Sequence, residues 1–211
     1  MEKRRAVVIA GGEIISYERI RSFFKPGDYY IFCDSGLVHK DKLQIEPDLI
    51  IGDFDSHEKV DTEAEIITLP EMKDDTDSLS GIKTALGRGF KDFLLIGMTG
   101  RRMDHTLCNL YSLSFIKSHN GRGVSVDDWS EMEVVEEEKA YVSDTYAYFS
   151  LVAWKGKCEG VNIENALYPL SSAVIEPEYQ YGISNEPLKG GSRVWVEKGS
   201  LLLIKDWRRE K

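Results

Sequence analysis

The sequence predicts an α/β domain built on a parallel sheet, followed by an all-β domain. Two observations carry that reading. Up to Ser118, short β-branched or apolar runs alternate with runs at helical spacing, the pattern of strand–helix–strand units. Beyond Asn120-Gly121-Arg122-Gly123 the apolar runs are short and β-rich, turn signals separate them, and no helical stripe recurs. The expected domains are 1–123 and 124–211.

Ala6 to Ala10 reads as a buried strand that ends in the Gly11-Gly12 turn. A glycine pair lets backbone approach a phosphate, although a plain strand-to-helix turn is the favoured reading. Ile14, Ile15, Tyr17, Ile20, Phe23 and Phe24 recur at helical spacing until Pro26-Gly27 stops them. Tyr29 to Cys33, Asp48 to Gly52, Glu65 to Leu69 and Phe93 to Gly97 are the next strands. Each is followed by a polar cluster: Asp34-Ser35-Gly36, Asp53-Phe54-Asp55-Ser56, Asp74-Asp75-Thr76-Asp77 and Thr99 to Asp104. Leu79, Ile82, Ala85 and Leu86 form an apolar stripe after the third cluster. Leu107, Leu110, Tyr111 and Phe115 form another after the fourth. Capping is the favoured reading of Asp75 and of Asp104, and Asp77 falls in the first turn. In the second domain, strands are expected at 124–126, 133–135, 145–154, 157–163, 193–197 and 201–205.

In a parallel sheet, ligands sit beyond the carboxyl ends of the strands. All four polar clusters fall on that one edge, and their agreement in position outweighs any single motif. Two carboxylates about 5 Å apart repel by roughly 3 kcal/mol at an effective dielectric near 20. A divalent cation is the usual compensation, and oxygen-only ligands suit Mg²⁺. Asp53 and Asp55, at i and i+2 on an extended chain, face one side, although an acidic turn explains the pair alone equally well. Taken with the other clusters, Asp53, Asp55 and Asp77 are the expected metal ligands. Arg102, at a helix start, is the expected phosphate contact. His105 reads as a proton carrier, a phosphate contact or a packing residue.

Composition narrows the partners. The chain has 211 residues, 42% of them hydrophobic, the balance of an ordinary globular protein. A net charge of −9 argues against a nucleic-acid surface, so an anionic substrate must be met by a metal or a few placed cations. Cys33 and Cys108 lie in apolar runs and read as small core residues. The apolar run after the basic N-terminus is too short for a signal peptide, and no stretch approaches a membrane span, so a cytoplasmic protein is expected. There is no GxxxxGK[ST] loop and no GxGxxG fingerprint, which disfavours ordinary kinase and dinucleotide sites.

The ordered motifs DSGL at Asp34, PDLIIGDFDS at Pro47, ITLPEMKDDTDS at Ile67, GRRMDHTLCN at Gly100 and GISNE at Gly182 resemble thiamine pyrophosphokinases. The resemblance runs from Asp34 to Glu186. It implies a Rossmann-like catalytic domain joined to a jelly-roll-like β-sandwich that binds thiamine and dimerises. The sites of the homodimer would lie where the catalytic domain of one subunit meets the sandwich of the other. It further implies Mg²⁺-dependent transfer of the pyrophosphoryl group of ATP to the thiamine hydroxyl, releasing AMP. By motif position, Asp53, Asp55 and Asp77 would hold the metal. Asp34, Ser35, Thr76, Arg102, His105 and Asn109 would serve the nucleotide. Asp77, Asp104 and Arg102 would be catalytic, with Asp104, Ser184 and Asn185 on the thiamine side. Thr99 stands where the family often has glycine, and Met72 where it often has Glu.

Two rival readings remain at this level. GDFDS also resembles the strand-end pair of haloacid-dehalogenase-like phosphatases, but that pair belongs near the start of its domain and here two strands precede it. A non-catalytic thiamine or nucleotide sensor has less need of the full carboxylate set. Tyr181, Trp195 and Trp207 are possible stackers for the thiamine pyrimidine, with core packing favoured for each.

Overall fold

Parallel strands carry the first part of the chain. The computed structural model describes residues 5–53, 63–70 and 74–207. The chain divides into two compact units, Met1–Asp128 and Trp129–Lys211.

In the first unit the strands are β1 (Arg5–Ile9), β2 (Tyr29–Cys33), β3 (Leu49–Gly52), β4 (Glu65–Thr68), β5 (Asp92–Ile96) and β6 (Arg122–Val126). They lie in the order β4-β3-β2-β1-β5-β6, with every pairing parallel. β1, β2, β3 and β5 are apolar runs because both faces of a central parallel strand are covered. Val7, Val8, Ile9, Ile31, Phe32, Leu49, Ile50, Leu95 and Ile96 are accordingly fully buried. β4 is the edge strand and is largely exposed. Arg122–Val126, whose Val124 to Val126 stretch reads in sequence as the start of the all-β part, pairs instead alongside β5.

The helices are α1 (Tyr17–Arg21), α2 (Lys40–Leu43), α3 (Asp77–Gly87) and α4 (Met103–Ser118), with a 3₁₀ segment at Asp34–His39. α1 is much shorter than its periodicity predicts, and Ile15 lies exposed ahead of it. Thr76 caps α3 by accepting a hydrogen bond from the Leu79 N–H at 3.3 Å. Asp75, expected as a cap, instead pairs with Lys83 at 2.5 Å. α3 buries Ser78, Gly81, Ile82 and Ala85, and Gly81 rests on Ile31, Cys33 and Ile51. α4 buries Asn109, Leu110, Leu113 and Ile116. Leu107, Tyr111 and Cys108, expected in its core, are exposed. Apolar side chains surround α4, so spacing alone does not select its buried face.

The second unit holds two antiparallel sheets. One contains β7 (Ser130–Val135), β13 (Leu201–Trp207) and β9 (Tyr146–Ala153), with β13 in the middle. The other runs β11 (Leu170–Ile175), β10 (Cys158–Glu164), β12 (Ser192–Trp195) and β8 (Ala140–Val142). Phe149, Leu151, Leu201 and Leu203 of the first sheet share one core with Val142, Val161, Ile163 and Val194 of the second. Among the described residues, no helix is long and apolar enough to cross a membrane.

Candidate functional site

The strand order fixes where a crevice must form. From β1 the chain winds outward to β4, then returns to the other side of β1 as β5. The loops after β1 and β5 therefore diverge, which opens a cleft beyond their carboxyl ends. A cavity of about 510 Å³ lies there, lined by Gly11, Gly12, Glu13, Met98, Thr99 and Gly100 from those loops. Ser35, Thr76, Asp77, Arg101, Arg102, His105 and Asn109 also line it.

Close packing shapes the loop that follows β1. A side chain at Gly12 would place its Cβ 2.2 Å from the Thr99 carbonyl oxygen and 2.4 Å from that of Gly97. The Gly12 N–H donates to the Gly97 oxygen at 2.9 Å. Farther along, Asp128 accepts from the N–H groups of Ile15 and Ser16 at 2.8 and 2.7 Å.

The start of α3 is tied to the end of β5 by a buried polar chain. The Ser78 hydroxyl lies 3.0 Å from the Thr76 hydroxyl and donates to Asn109 Oδ1 at 2.8 Å. Asn109 Nδ2 donates to the Met98 oxygen at 2.9 Å. Asn109 therefore lines the cavity with both ends of its amide already engaged. What it does there is hold the Thr76–Ser78 turn, and Asp77 within it, against β5.

Arg102 and Asp104 stand at the rim, both well exposed. Arg102 Nε and Nη2 donate to the two oxygens of Asp104 at 3.3 and 2.6 Å. Arg102 occupies the cap position of α4 without a side-chain cap bond, so Asp104 is a first-turn residue rather than the expected cap. The Arg102 guanidinium, with help from the His105 N–H, lowers the Asp104 carboxyl to about 2. His105 is exposed in the same turn.

Asp34 opens the 3₁₀ segment after β2, and Asp53 follows β3 directly. The two strand ends meet closely, since a Cβ on Gly52 would lie 2.5 Å from that of Asp34. Neither carboxylate lines the cavity. Asp55 and Met72 lie outside the described residues. The described donors, Asp53 at the end of β3 and Asp77 with Thr76 at the start of α3, offer oxygen only, which fits a hard cation such as Mg²⁺. Among the described residues, no three His, Cys, Asp or Glu side chains form a metal-holding group.

In the second unit, Ser184 is exposed and has a left-handed φ of 57°. Its N–H donates to the Ser150 hydroxyl at 3.0 Å. Asn185 is buried, and its Oδ1 accepts from the N–H groups of Tyr168 and Glu186 while its Nδ2 donates to the Tyr168 oxygen. Asn185 therefore fixes its own segment and presents Ser184. Trp195 sits under Lys139, with Nζ 3.8 Å from the ring centroid, and Trp207 stacks on Tyr146. Tyr181 is 41% exposed.

Sequence reasoning gave no role to Glu13 and Met98, which line the cavity from loops, or to Thr106, which lines it from the start of α4. Thr106 accepts from the Gly100 N–H at 3.1 Å and so holds the loop after β5. Only the Gly-Gly pair hinted at the first of these.

No curated protein sequence matches the chain significantly. Among solved structures, thiamine pyrophosphokinase from Bacillus subtilis is similar over 98% of this chain and 100% of that one, with 21% identity and a TM-score of 0.87. The corresponding protein of Geobacillus thermodenitrificans covers 98% and 99%, with 21% identity and a TM-score of 0.84. That of Candida albicans covers 98% and 90%, with 13% identity and a TM-score of 0.79. At such identities the likeness establishes the fold. The family described as "Thiamin pyrophosphokinase, catalytic domain" matches residues 20–123, the stretch that supplies most of the cavity. Residues 20–123 are therefore a catalytic domain of the thiamin pyrophosphokinase family of enzymes.

Proposed function

We propose that the protein transfers the pyrophosphoryl group of ATP to the hydroxyl of thiamine, giving thiamine diphosphate and AMP. The observation that carries this is the cavity itself. Its walls combine the family's catalytic stretch with Thr76, Asp77, Arg102 and His105 at the switch point of a parallel sheet. In the reaction, the thiamine hydroxyl oxygen bonds to the β-phosphorus of ATP. The bond from that phosphorus to the oxygen shared with the α-phosphate breaks, and AMP leaves with that oxygen.

Asp53, Asp55 and Asp77 would hold Mg²⁺, which when bound neutralises charge on the phosphate oxygens. Arg102 meets the phosphate chain at the mouth of α4, where free helix N–H groups add to its charge. Asp104, held acidic and doubly bonded by Arg102, is a poor proton acceptor and instead aims that guanidinium. Asp77 is our choice to take the hydroxyl proton. Ser35 lines the cavity on the nucleotide side, and Asp34 precedes it at the start of the 3₁₀ segment.

Ser184, held in place by Asn185, would contact thiamine from the partner subunit of a homodimer. Met103, Leu107 and Tyr111 are 64%, 46% and 50% exposed at four-residue spacing on α4, an apolar stripe suited to a second subunit. We read the first unit as Rossmann-like, the second as a jelly-roll-like sandwich, and the protein as cytoplasmic.

The test is incubation with thiamine, ATP and Mg²⁺, measuring AMP and thiamine diphosphate together, with an EDTA control. Equal amounts of both products, lost with EDTA, are expected. ADP or free phosphate in their place would overturn the reaction class and favour the phosphatase reading. Thiamine binding without turnover would favour the sensor.

A further inference from the structure

His39 lies outside the cavity and belongs to none of the motifs read for chemistry, yet it is 4% exposed and touches the cavity wall through one bond. Its Nε2 lies 2.9 Å from the Gly12 carbonyl oxygen, and its Nδ1 lies 2.8 Å from the Tyr17 hydroxyl. A carbonyl only accepts, so Nε2 carries the proton and Nδ1 accepts from Tyr17. Burial lowers the His39 pKa, in keeping with this neutral form. The Lys42 ammonium, 5.2 Å from the Tyr17 ring centroid, closes the group on its outer side.

The peptide plane extends this contact into the cavity. The Gly12–Glu13 bond is not cis, so the Gly12 C=O and the Glu13 N–H point in opposite directions. Gly12, Glu13 and Gly100 line the cavity and His39 does not, so we infer that a carbonyl drawn to His39 turns the Glu13 N–H toward the cavity. An ideal Cβ on Gly100 would lie 3.8 Å from the Glu13 nitrogen. Among the described residues, the Glu13 N–H donates to no protein group. A fixed donor facing a cavity suits an anionic oxygen.

The geometry points to His39 as a positioning residue: through the Gly12 carbonyl it aims the Glu13 N–H at the phosphate chain of the bound nucleotide. This rests on the reading of the cavity as the ATP site and adds a residue to it. A rotated Gly12–Glu13 peptide would instead present a carbonyl oxygen to the phosphates, so losing His39 weakens phosphate binding selectively.

The test compares wild type with His39→Leu, His39→Gln and Tyr17→Phe by calorimetric binding of ADP and of adenosine, with steady-state kinetics alongside. His39→Leu should lose about tenfold in ADP affinity and raise KM for ATP similarly, the order of one hydrogen bond to a charged group. Adenosine affinity and KM for thiamine should stay unchanged. His39→Gln, whose Nε2 can donate to Gly12 while its oxygen accepts from Tyr17, should recover most of the loss. Tyr17→Phe should show the same selectivity at smaller size, and it carries the test if His39→Leu does not fold. Equal losses for ADP and adenosine, or no loss, would overturn the role of His39 while leaving the nucleotide site intact. A wild type that binds no ADP would overturn both.

Discussion

Replacing Asn109 by Leu, which keeps the branching of the side chain but not its polar atoms, tests the polar chain beneath the site. The change removes the 2.8 Å bond from Ser78 and the 2.9 Å bond to the Met98 oxygen. The Met98 carbonyl is left without its amide, which costs about 1–3 kcal/mol for a buried acceptor. The Ser78 hydroxyl keeps Thr76 at 3.0 Å, so its loss is nearer to about 1 kcal/mol. Together the first unit should lose about 2–4 kcal/mol, or roughly 6–15 °C in Tm for a domain of this size. Among the described residues all four α-helices lie in the first unit, so circular dichroism at a helical wavelength follows its unfolding. The double-mutant cycle with Ser78→Ala should return a coupling of about 1 kcal/mol, because the two residues share one bond. A Tm shift below about 2 °C, or additive single effects, would refute the claim that Asn109 holds α3 to β5.

Three further outcomes follow from the same geometry. Gly12→Ala should cost about 1–3 kcal/mol by overpacking and abolish turnover, since both close contacts are backbone carbonyls that cannot turn aside; a fully active variant would show that the loop moves freely. NMR titration should place the Asp104 carboxyl at about 2, with Arg102→Ala returning it toward 3.8. Because its folded pKa is depressed, any stability from this pair is present above the unfolded value and lost as pH falls through the folded one, so activity between pH 5 and 8 should show no limb from Asp104. In the second unit, Lys205 is buried between Glu131 and Glu133, and Tyr146 donates to Glu131 at 2.8 Å. Lys205→Met strands two carboxylates and should cost about 3–5 kcal/mol. All four tryptophans lie in that unit, so their fluorescence reads it directly, and Lys157→Met at an exposed pair should leave it unmoved.

The sequence by itself determined the order of the parallel strands' apolar runs and the motif clusters at their ends. A strand buried on both faces must be apolar throughout, and its end is where polar residues return. It also determined the family resemblance, because five motifs in one order are specific when each alone is a turn. It did not determine which face of α4 is buried, since apolar residues surround that helix; Leu107 and Cys108 read as core and stand in solvent. Nor did it separate caps from ion pairs. Thr76, Asp75 and Asp77 are all good helix starters, and only the position of Lys83 draws Asp75 aside. Tertiary structure alone placed β6 beside β5, brought Glu13 and Met98 to the cavity, and set His39 behind its wall on the Gly12 carbonyl. Those residues act through backbone direction and burial, which depend on neighbours far along the chain and leave no local pattern to read.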